Sequence, residues 1–223
     1  MAGLVRINGQ PARKSSDSVR DTDELVVADR EKYVSRGGLK LEHALKEFTI
    51  PVAGLTAVDL GASTGGFTDC LLQNGVTKVY AVDVGRGQLA WKLRNHPQVV
   101  VMEQVNARDL TPAQMPAPFS PAGLVVIDCS FISLRKILPA AVALLRPLGK
   151  IIALIKPQFE AGKEEADKGA GVITDPAVHE RVIRELQDFV GTIPPLSWRS
   201  LTTSPILGPA GNREFLVLLE KTG

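Results

Sequence analysis

The sequence predicts an α/β protein on a mostly parallel, seven-stranded sheet with a C-terminal antiparallel strand. Three observations carry this. From Thr56 onward, short apolar runs alternate with helical stretches, which implies βαβ units with right-handed crossovers. The first run leads into a glycine-rich loop and then a helix, the arrangement that opens a doubly wound sheet. Two late runs, 197–203 and 214–220, have no helix between them. They imply a terminal hairpin, and so one antiparallel edge strand.

The elements follow in order. Residues 5–7 and 25–27 read as short strands, with Asn8-Gly9 as a hairpin turn between them. A polar stretch, 28–32, links them to a helix over 38–48 that places Leu41, Ala44, Leu45 and Phe48 on one face. Strands are expected at 56–60, 78–82, 99–102, 124–128 and 150–155, with helices at 66–73, 88–94 and 133–145 between them. Pro139 requires the last of these helices to start late or to kink. Asp175 followed by Pro176 is an N-cap and first-turn signal for a helix to about residue 190. The glycines and charges between Glu160 and Thr174 lack periodicity and predict a mobile loop, either a lid over a substrate or a surface loop without a role. The domain organisation expected is 1–28 as a small β unit, 29–34 as linker and 35–223 as the main domain.

Composition sets limits. With 223 residues, 44% of them hydrophobic and 22% charged, the chain is not of a disordered type. A net charge of +2 permits nucleic-acid binding without arguing for it. The two cysteines, Cys70 and Cys129, have no zinc spacing and suit a reduced, cytoplasmic protein. The N-terminus lacks a signal-peptide pattern, and the longest apolar stretches are far too short to span a bilayer. No metal site is expected, and the oligomeric state is open.

The sharpest motif is Asp59-Leu60-Gly61-Ala62-Ser63-Thr64-Gly65-Gly66-Phe67. Its glycines allow close backbone approach, and the helix after it offers free N–H groups. It lacks the G-x-G-x-x-G of a dinucleotide fingerprint and the Gly-Lys-Ser/Thr of a phosphate loop. A tight turn without a ligand is the remaining plain alternative. Asp83 ends the next strand, where an acid commonly bonds a ribose diol. Asn106, Ala107, Arg108 and Asp109 follow the third strand and offer further contacts, from backbone or side chain.

Five ordered motifs carry a resemblance over nearly the whole chain. They are Ser35-Arg36-Gly37-Gly38-Leu39-Lys40-Leu41, the glycine loop, Val126-Ile127-Asp128-Cys129-Ser130-Phe131, Ile155-Lys156-Pro157-Gln158-Phe159-Glu160 and Gly211-Asn212-Arg213-Glu214-Phe215. Together they resemble the FtsJ-type RNA 2′-O-methyltransferase family, and within it the TlyA-type hemolysin subfamily of ribosomal RNA methyltransferases. The resemblance implies a Rossmann-like fold that binds S-adenosylmethionine (SAM) through Asp59, Gly61, Ala62, Ser63, Gly65, Gly66, Phe67, Asp83, Asn106, Ala107, Arg108 and Asp128. It also implies a catalytic tetrad of Lys40, Asp128, Lys156 and Glu214. A ribose hydroxyl is a poor nucleophile, so a positioned base must take its proton. Lys156 is the expected base, with Asp128 and Glu214 orienting the lysines. The expected partners are ribosomal RNA or ribosomal subunits, with cytidine riboses as targets.

Residues 2–27 resemble the second half of an αL RNA-binding module without its two leading helices. The chain therefore reads as a fragment, a misplaced start or a trimmed form of something longer. Arg6, Arg13, Lys14 and Arg20 could touch phosphates, although nine basic residues against eight acidic across 1–50 fit a plain solvated surface equally well. Three other readings stay open. Cys129 could be the nucleophile of a cytosine C5-methyltransferase, though a buried small residue is the simpler reading. A membrane-active hemolysin is implied by the subfamily's older name. A non-catalytic ribosome-binding protein could retain the fold.

Overall fold

The computed structural model describes residues 5–12, 14, 16–27 and 31–223. Arg13, residue 28 and the first two residues of the expected 29–34 linker lie outside the described residues. The chain divides into two compact units, Met1–Lys32 and Tyr33–Gly223.

The first unit is a three-stranded antiparallel sheet of β1 (Val5–Ile7), β2 (Gln10–Pro11) and β3 (Leu25–Val27), in the order β2-β1-β3. Asn8 and Gly9 take φ of 50° and 79°, the mirror-image turn that matches strand twist. The Asn8 side chain also ties this turn to the residues that enter β3. Its Nδ2 donates to Asp23 Oδ1 at 2.9 Å, and its Oδ1 accepts from Glu24 N at 2.8 Å. Arg6, Lys14 and Arg20 are exposed.

The second unit opens with α1 (Gly37–Glu47) and β4 (Thr56–Leu60), followed by α2 (Gly66–Gln73), β5 (Lys78–Asp83), α3 (Trp91–Arg94), β6 (Val99–Glu103) and β7 (Ala122–Ile127). Then come α4 (Leu134–Leu144), β8 (Leu145–Ile155), α5 (Pro157–Glu160), α6 (Lys163–Lys168), α7 (Pro176–Gly191), β9 (Leu196–Thr203) and β10 (Phe215–Lys221). Seven strands form one sheet in the order β6-β5-β4-β7-β8-β10-β9. The strands from β6 through β8 pair in parallel, and β10 pairs antiparallel with both β8 and β9. The sequence therefore placed the antiparallel strand one position too far out. The crossover through α7 carries β9 to the edge, and β10 returns into the gap beside β8.

The central strands are buried almost continuously, as a sheet covered on both faces requires, and successive residues face opposite cores. Val125 and Ile127 face a core completed by Ile137, Leu138 and Ala141 of α4 and Val182, Leu186 and Val190 of α7. Val126 faces the opposite core, with Leu41, Ala44 and Leu45 of α1 and Phe67, Cys70 and Leu71 of α2. Strand order 5-4-7 puts the C-terminal ends of β4, β5, β7 and β8 together, and the loops that follow them form the working face.

Two local expectations need correction, and a third is narrowed. The helix expected over 88–94 is only α3, because Ala90 is extended at its N-cap and Leu89 is buried as a core residue instead. The helix around Pro139 does not start late; α4 begins at Leu134 with the ring inside it, which leaves the kink of the two alternatives. The segment between Glu160 and Thr174 contains α6, whose Glu164 and Glu165 in the first turn and Lys168 in the last suit the helix dipole. Six residues are too few for periodicity to reveal a helix. No helix among the described residues is long and apolar enough to cross a membrane.

Candidate active site

The glycine loop is shaped by the strand beside it. Gly61 N and Ala62 N both donate to Val82 O, at 2.9 and 3.0 Å. Gly61 has a φ of 87°, and a Cβ there would stand 2.9 Å from the backbone of Asp128 and Cys129. Glycine is thus required twice over, by conformation and by contact. Ser63, at φ 48°, donates its N–H to Asp83 Oδ2 at 2.8 Å, and Gly85 N donates to Asp83 Oδ1 at 2.7 Å. Asp83 thereby organises the loops after β4 and β5 at once.

Two adjoining clefts open on this face. The first is lined by Ser35, Arg36, Gly37 and Lys40, by the loop residues Gly61 to Thr64 with Gly66 and Phe67, and by Asp128, Ser130, Lys156 and Glu214. The second, with a cavity volume of about 410 Å³, is lined by Asp83, Asn106 and Ala107 and by apolar Val82, Val84, Val105, Ile132 and Ile137. Gly61, Ser63, Asp128 and Ser130 belong to both. A molecule in one cleft therefore abuts a molecule in the other.

The four tetrad residues meet in the first cleft as two ion pairs. Lys40 Nζ lies 2.5 Å from Glu214 Oε2, and both residues are buried. Lys156 Nζ lies 2.6 Å from Asp128 Oδ1. That oxygen has no aligned hydrogen bond among the described residues, whereas Lys156 Nζ donates to Ser130 Oγ at 2.9 Å. Topology explains the meeting. Asp128 and Lys156 follow the ends of adjacent parallel strands, and the antiparallel β10 begins where β8 ends, with Phe215 opposite Ile155. Lys40 reaches this point from α1. Buried charges are expensive unless paired, so three of them with half-buried Asp128 beside a cleft point to chemistry rather than stability.

Not every expected residue lines a cleft. Gly65 instead forms the left-handed N-cap of α2 at φ 97°. Arg108 lines neither cleft; its side chain approaches Asp109 at 3.5 Å, and both are exposed. Asp59 is wholly buried beneath the loop, where its Oδ2 accepts from Thr68 Oγ1 at 2.7 Å and its Oδ1 has no hydrogen-bond partner among the described residues. Burial pushes its carboxyl up to about 7; the Thr68 bond opposes the rise, and the charges of Asp128 and Asp83 add to it.

This burial has a measurable consequence. Between the ordinary value of 3.8 and about 7, the unfolded chain has lost this proton while the folded chain keeps it. Stability contributed by this group therefore falls as pH rises through that window. Asp59→Asn removes the titration. In ligand-free calorimetry, the melting temperature of the variant relative to the parent should rise from about pH 5 to about pH 8. A difference independent of pH would mean that Asp59 is not held neutral in the fold.

Sequence reasoning missed several contributors. Ser130 and Arg36 lay inside quoted motifs but had no role there. Phe131, at φ 62° and 92% exposed, rests on Phe159 with ring centroids 5.1 Å apart at the cleft mouth. Glu160 accepts from Ser133 Oγ at 2.6 Å and Leu134 N at 2.7 Å, so it caps α4. Asn212, also buried, accepts from Ile173 N at 2.9 Å and donates to Gly171 O at 2.8 Å. It ties the end of the α6 segment next to Glu214. Burial pushes the Cys129 thiol up to about 12, with the Asp128 charge adding to the effect, and Sγ donates to Leu60 O at 3.4 Å. A thiol so protonated is a poor nucleophile, which disfavours the C5-methyltransferase reading.

Comparison with known proteins adds independent findings. The FtsJ-like methyltransferase family matches residues 33–221. The 16S/23S rRNA (cytidine-2′-O)-methyltransferase TlyA of Mycobacterium tuberculosis is 48% identical over 98% of this chain and 80% of its own length. Hemolysin A of Brachyspira hyodysenteriae is 42% identical over 97% of this chain and 88% of its own length. A crystal structure from Lactococcus lactis, of a protein carrying the hemolysin name, superposes with a TM-score of 0.82 at 51% identity, covering 87% of this chain and 91% of that one.

Proposed function

The chain belongs to the FtsJ-like methyltransferase family, and from that premise we propose that it methylates the ribose 2′-hydroxyl of cytidines in ribosomal RNA, using SAM. The observation that supports this most is the meeting of the Lys40–Glu214 and Lys156–Asp128 pairs in a cleft adjoining a second, nucleoside-sized one. Cytidine and ribosomal RNA are the substrate terms in the name of the Mycobacterium tuberculosis relative.

The second cleft fits SAM. Each Asp83 oxygen accepts one backbone N–H and retains a lone pair for a ribose hydroxyl. Val84, Val105, Ile132 and Ile137 offer apolar walls to a flat base. Bound there, SAM supplies an electrophilic methyl carbon on a sulfonium. The chain's own residues do the rest. Ser130 and Asp128 aim Lys156 Nζ. Lys156 Nζ would take the 2′-hydroxyl proton as the hydroxyl oxygen gains the methyl group, whose bond to sulfur breaks and leaves a neutral thioether. Lys40 and Glu214 offer a donor and an acceptor in the same cleft to fix the ribose. Phe131 presents an exposed ring face on which an unstacked base can rest. The segment holding α6, tied down by Asn212, serves as a lid over that nucleotide. The 1–28 unit, as the back half of an αL module, adds Arg6, Lys14 and Arg20 for phosphate contact. Such a substrate places the protein in the cytoplasm.

The test has two stages. Isothermal titration should show saturable binding of SAM and none of NAD. Methyl-labelled SAM should then transfer label to undermethylated ribosomal subunits, at cytidine 2′-oxygens after nuclease digestion. Absence of SAM binding by a folded sample would overturn the assignment. The hemolysin name of some relatives suggests a second assay, dye release from liposomes, for which this reading expects no signal.

A further inference from the structure

The connection between β5 and β6 carries a residue that the reaction above leaves unused. Trp91 opens α3 and is 78% exposed, although indole rings are usually well covered. Its neighbours hold it outward. Leu89 and Leu93 occupy the inner side, so close to the glycine loop that a Cβ on Gly65 would stand 2.8 and 2.3 Å from their Cδ1 atoms. Ala90 N donates to Thr64 O at 3.1 Å, and Thr64 lines the first cleft. Lys92 Nζ lies 2.9 Å from Asp69 Oδ2, an oxygen that also accepts from Val34 N at 2.9 Å. Trp91 therefore stands on a fixed rim, one residue from a bond to the wall of the reaction cleft.

Charge narrows what this rim can meet. From Val84 to Met102 the chain has no Asp or Glu, but it has Arg86, Lys92 and Arg94. Lys92 pairs with Asp69 and Arg94 with Glu103, while Arg86 makes no ion pair among the described residues. An exposed indole on an acid-free connection has the composition of a single-strand platform: a ring that any base can stack on, with Arg86 as the cation left for a phosphate. A rigid support also lowers the entropic cost of ordering on contact.

We propose that Trp91 stacks on a base of the RNA strand flanking the target nucleotide, forming a docking platform on the glycine-loop side of the cleft. This rests on the RNA methyltransferase reading above. The platform acts on substrate binding and not on the chemical step, which separates it from the tetrad.

The chain has two tryptophans, so Trp198→Phe leaves Trp91 as the only indole reporter. In that background, titration with ribosomal RNA should quench the emission. Trp91→Ala should raise KM for ribosomal subunits by about tenfold, with kcat and SAM affinity within about twofold of the parent. Trp91→Phe should recover most of the loss, which a merely misfolded Ala variant would not explain. If the parent methylates subunits but Trp91→Ala matches its KM, or the emission does not respond to RNA, the platform is refuted. A dimer lost in Trp91→Ala with KM unchanged would refute it too, by assigning the ring to a second copy. If the parent itself neither binds nor methylates RNA, the function reading falls first and the platform falls with it.

Discussion

Lys156→Arg should lower methyl transfer to ribosomal subunits by about 10²–10⁴-fold, the range expected for loss of a positioned general base. Arginine keeps the positive charge beside Asp128, so the half-buried carboxylate is not left without its partner. What arginine cannot do is give up its proton near neutral pH. Loss of turnover with the charge retained therefore isolates proton transfer from electrostatics. SAM affinity should stay within about twofold, because Lys156 lines the first cleft and not the second. Lys156→Ala should be at least as inactive. A Lys156→Arg enzyme with a substantial share of its turnover would remove Lys156 as the base and leave it a positioning role. The readout is label transfer from SAM under single-turnover conditions, with calorimetric titration as the control.

Asp83→Ala should weaken SAM binding by about two orders of magnitude, since hydrogen bonds to a charged group contribute about 1.5–3 kcal/mol each. The carboxylate acts in two directions. Its oxygens hold Ser63 N and Gly85 N, which shape the two loops, and they keep lone pairs for a ribose. Asp83→Asn should rescue little. An amide has one accepting oxygen, so its NH₂ would face one of the two backbone donors. Turnover at saturating SAM should fall much less than affinity does. An unchanged dissociation constant in both variants would move the cofactor out of the second cleft.

The sequence made some of this legible and hid the rest for definite reasons. The glycine loop and the ends of β4, β5 and β7 were readable because spacing and local apolar pattern govern them. Strand order is not local, so the place of β10 inside the sheet was not readable, although it is what sets Glu214 beside the end of β8. The contact between Lys40 and Glu214 spans 174 positions, and only the motif resemblance named both. Asp59 illustrates the opposite limit. Its motif suggested cofactor contact, but its side chain lies under the loop on Thr68. No pattern of residue types tells an acid that faces a ligand from one that supports the residues that do. The exposed rings of Phe131 and Trp91 escaped as well, because an aromatic residue in an apolar stretch reads as core by default.

The join between α1 and the glycine loop has a consequence for redesign. A Cβ on Gly66 would come within 2.9 Å of Gly38 N and 3.2 Å of Gly37 Cα, and one on Gly38 would collide with the Tyr33 ring at 2.2 Å. At Gly66 backbone meets backbone, and at Gly38 backbone meets a buried ring, so neither position has room for a side chain. The helix that carries Lys40 and the loop after β4 behave as a single machined part. Attempts to retarget the enzyme to another nucleotide should leave this seam untouched. They have room to work at Ile206, Leu207 and Pro209 and at Phe131, where the cleft walls are made of side chains and a change in shape need not propagate.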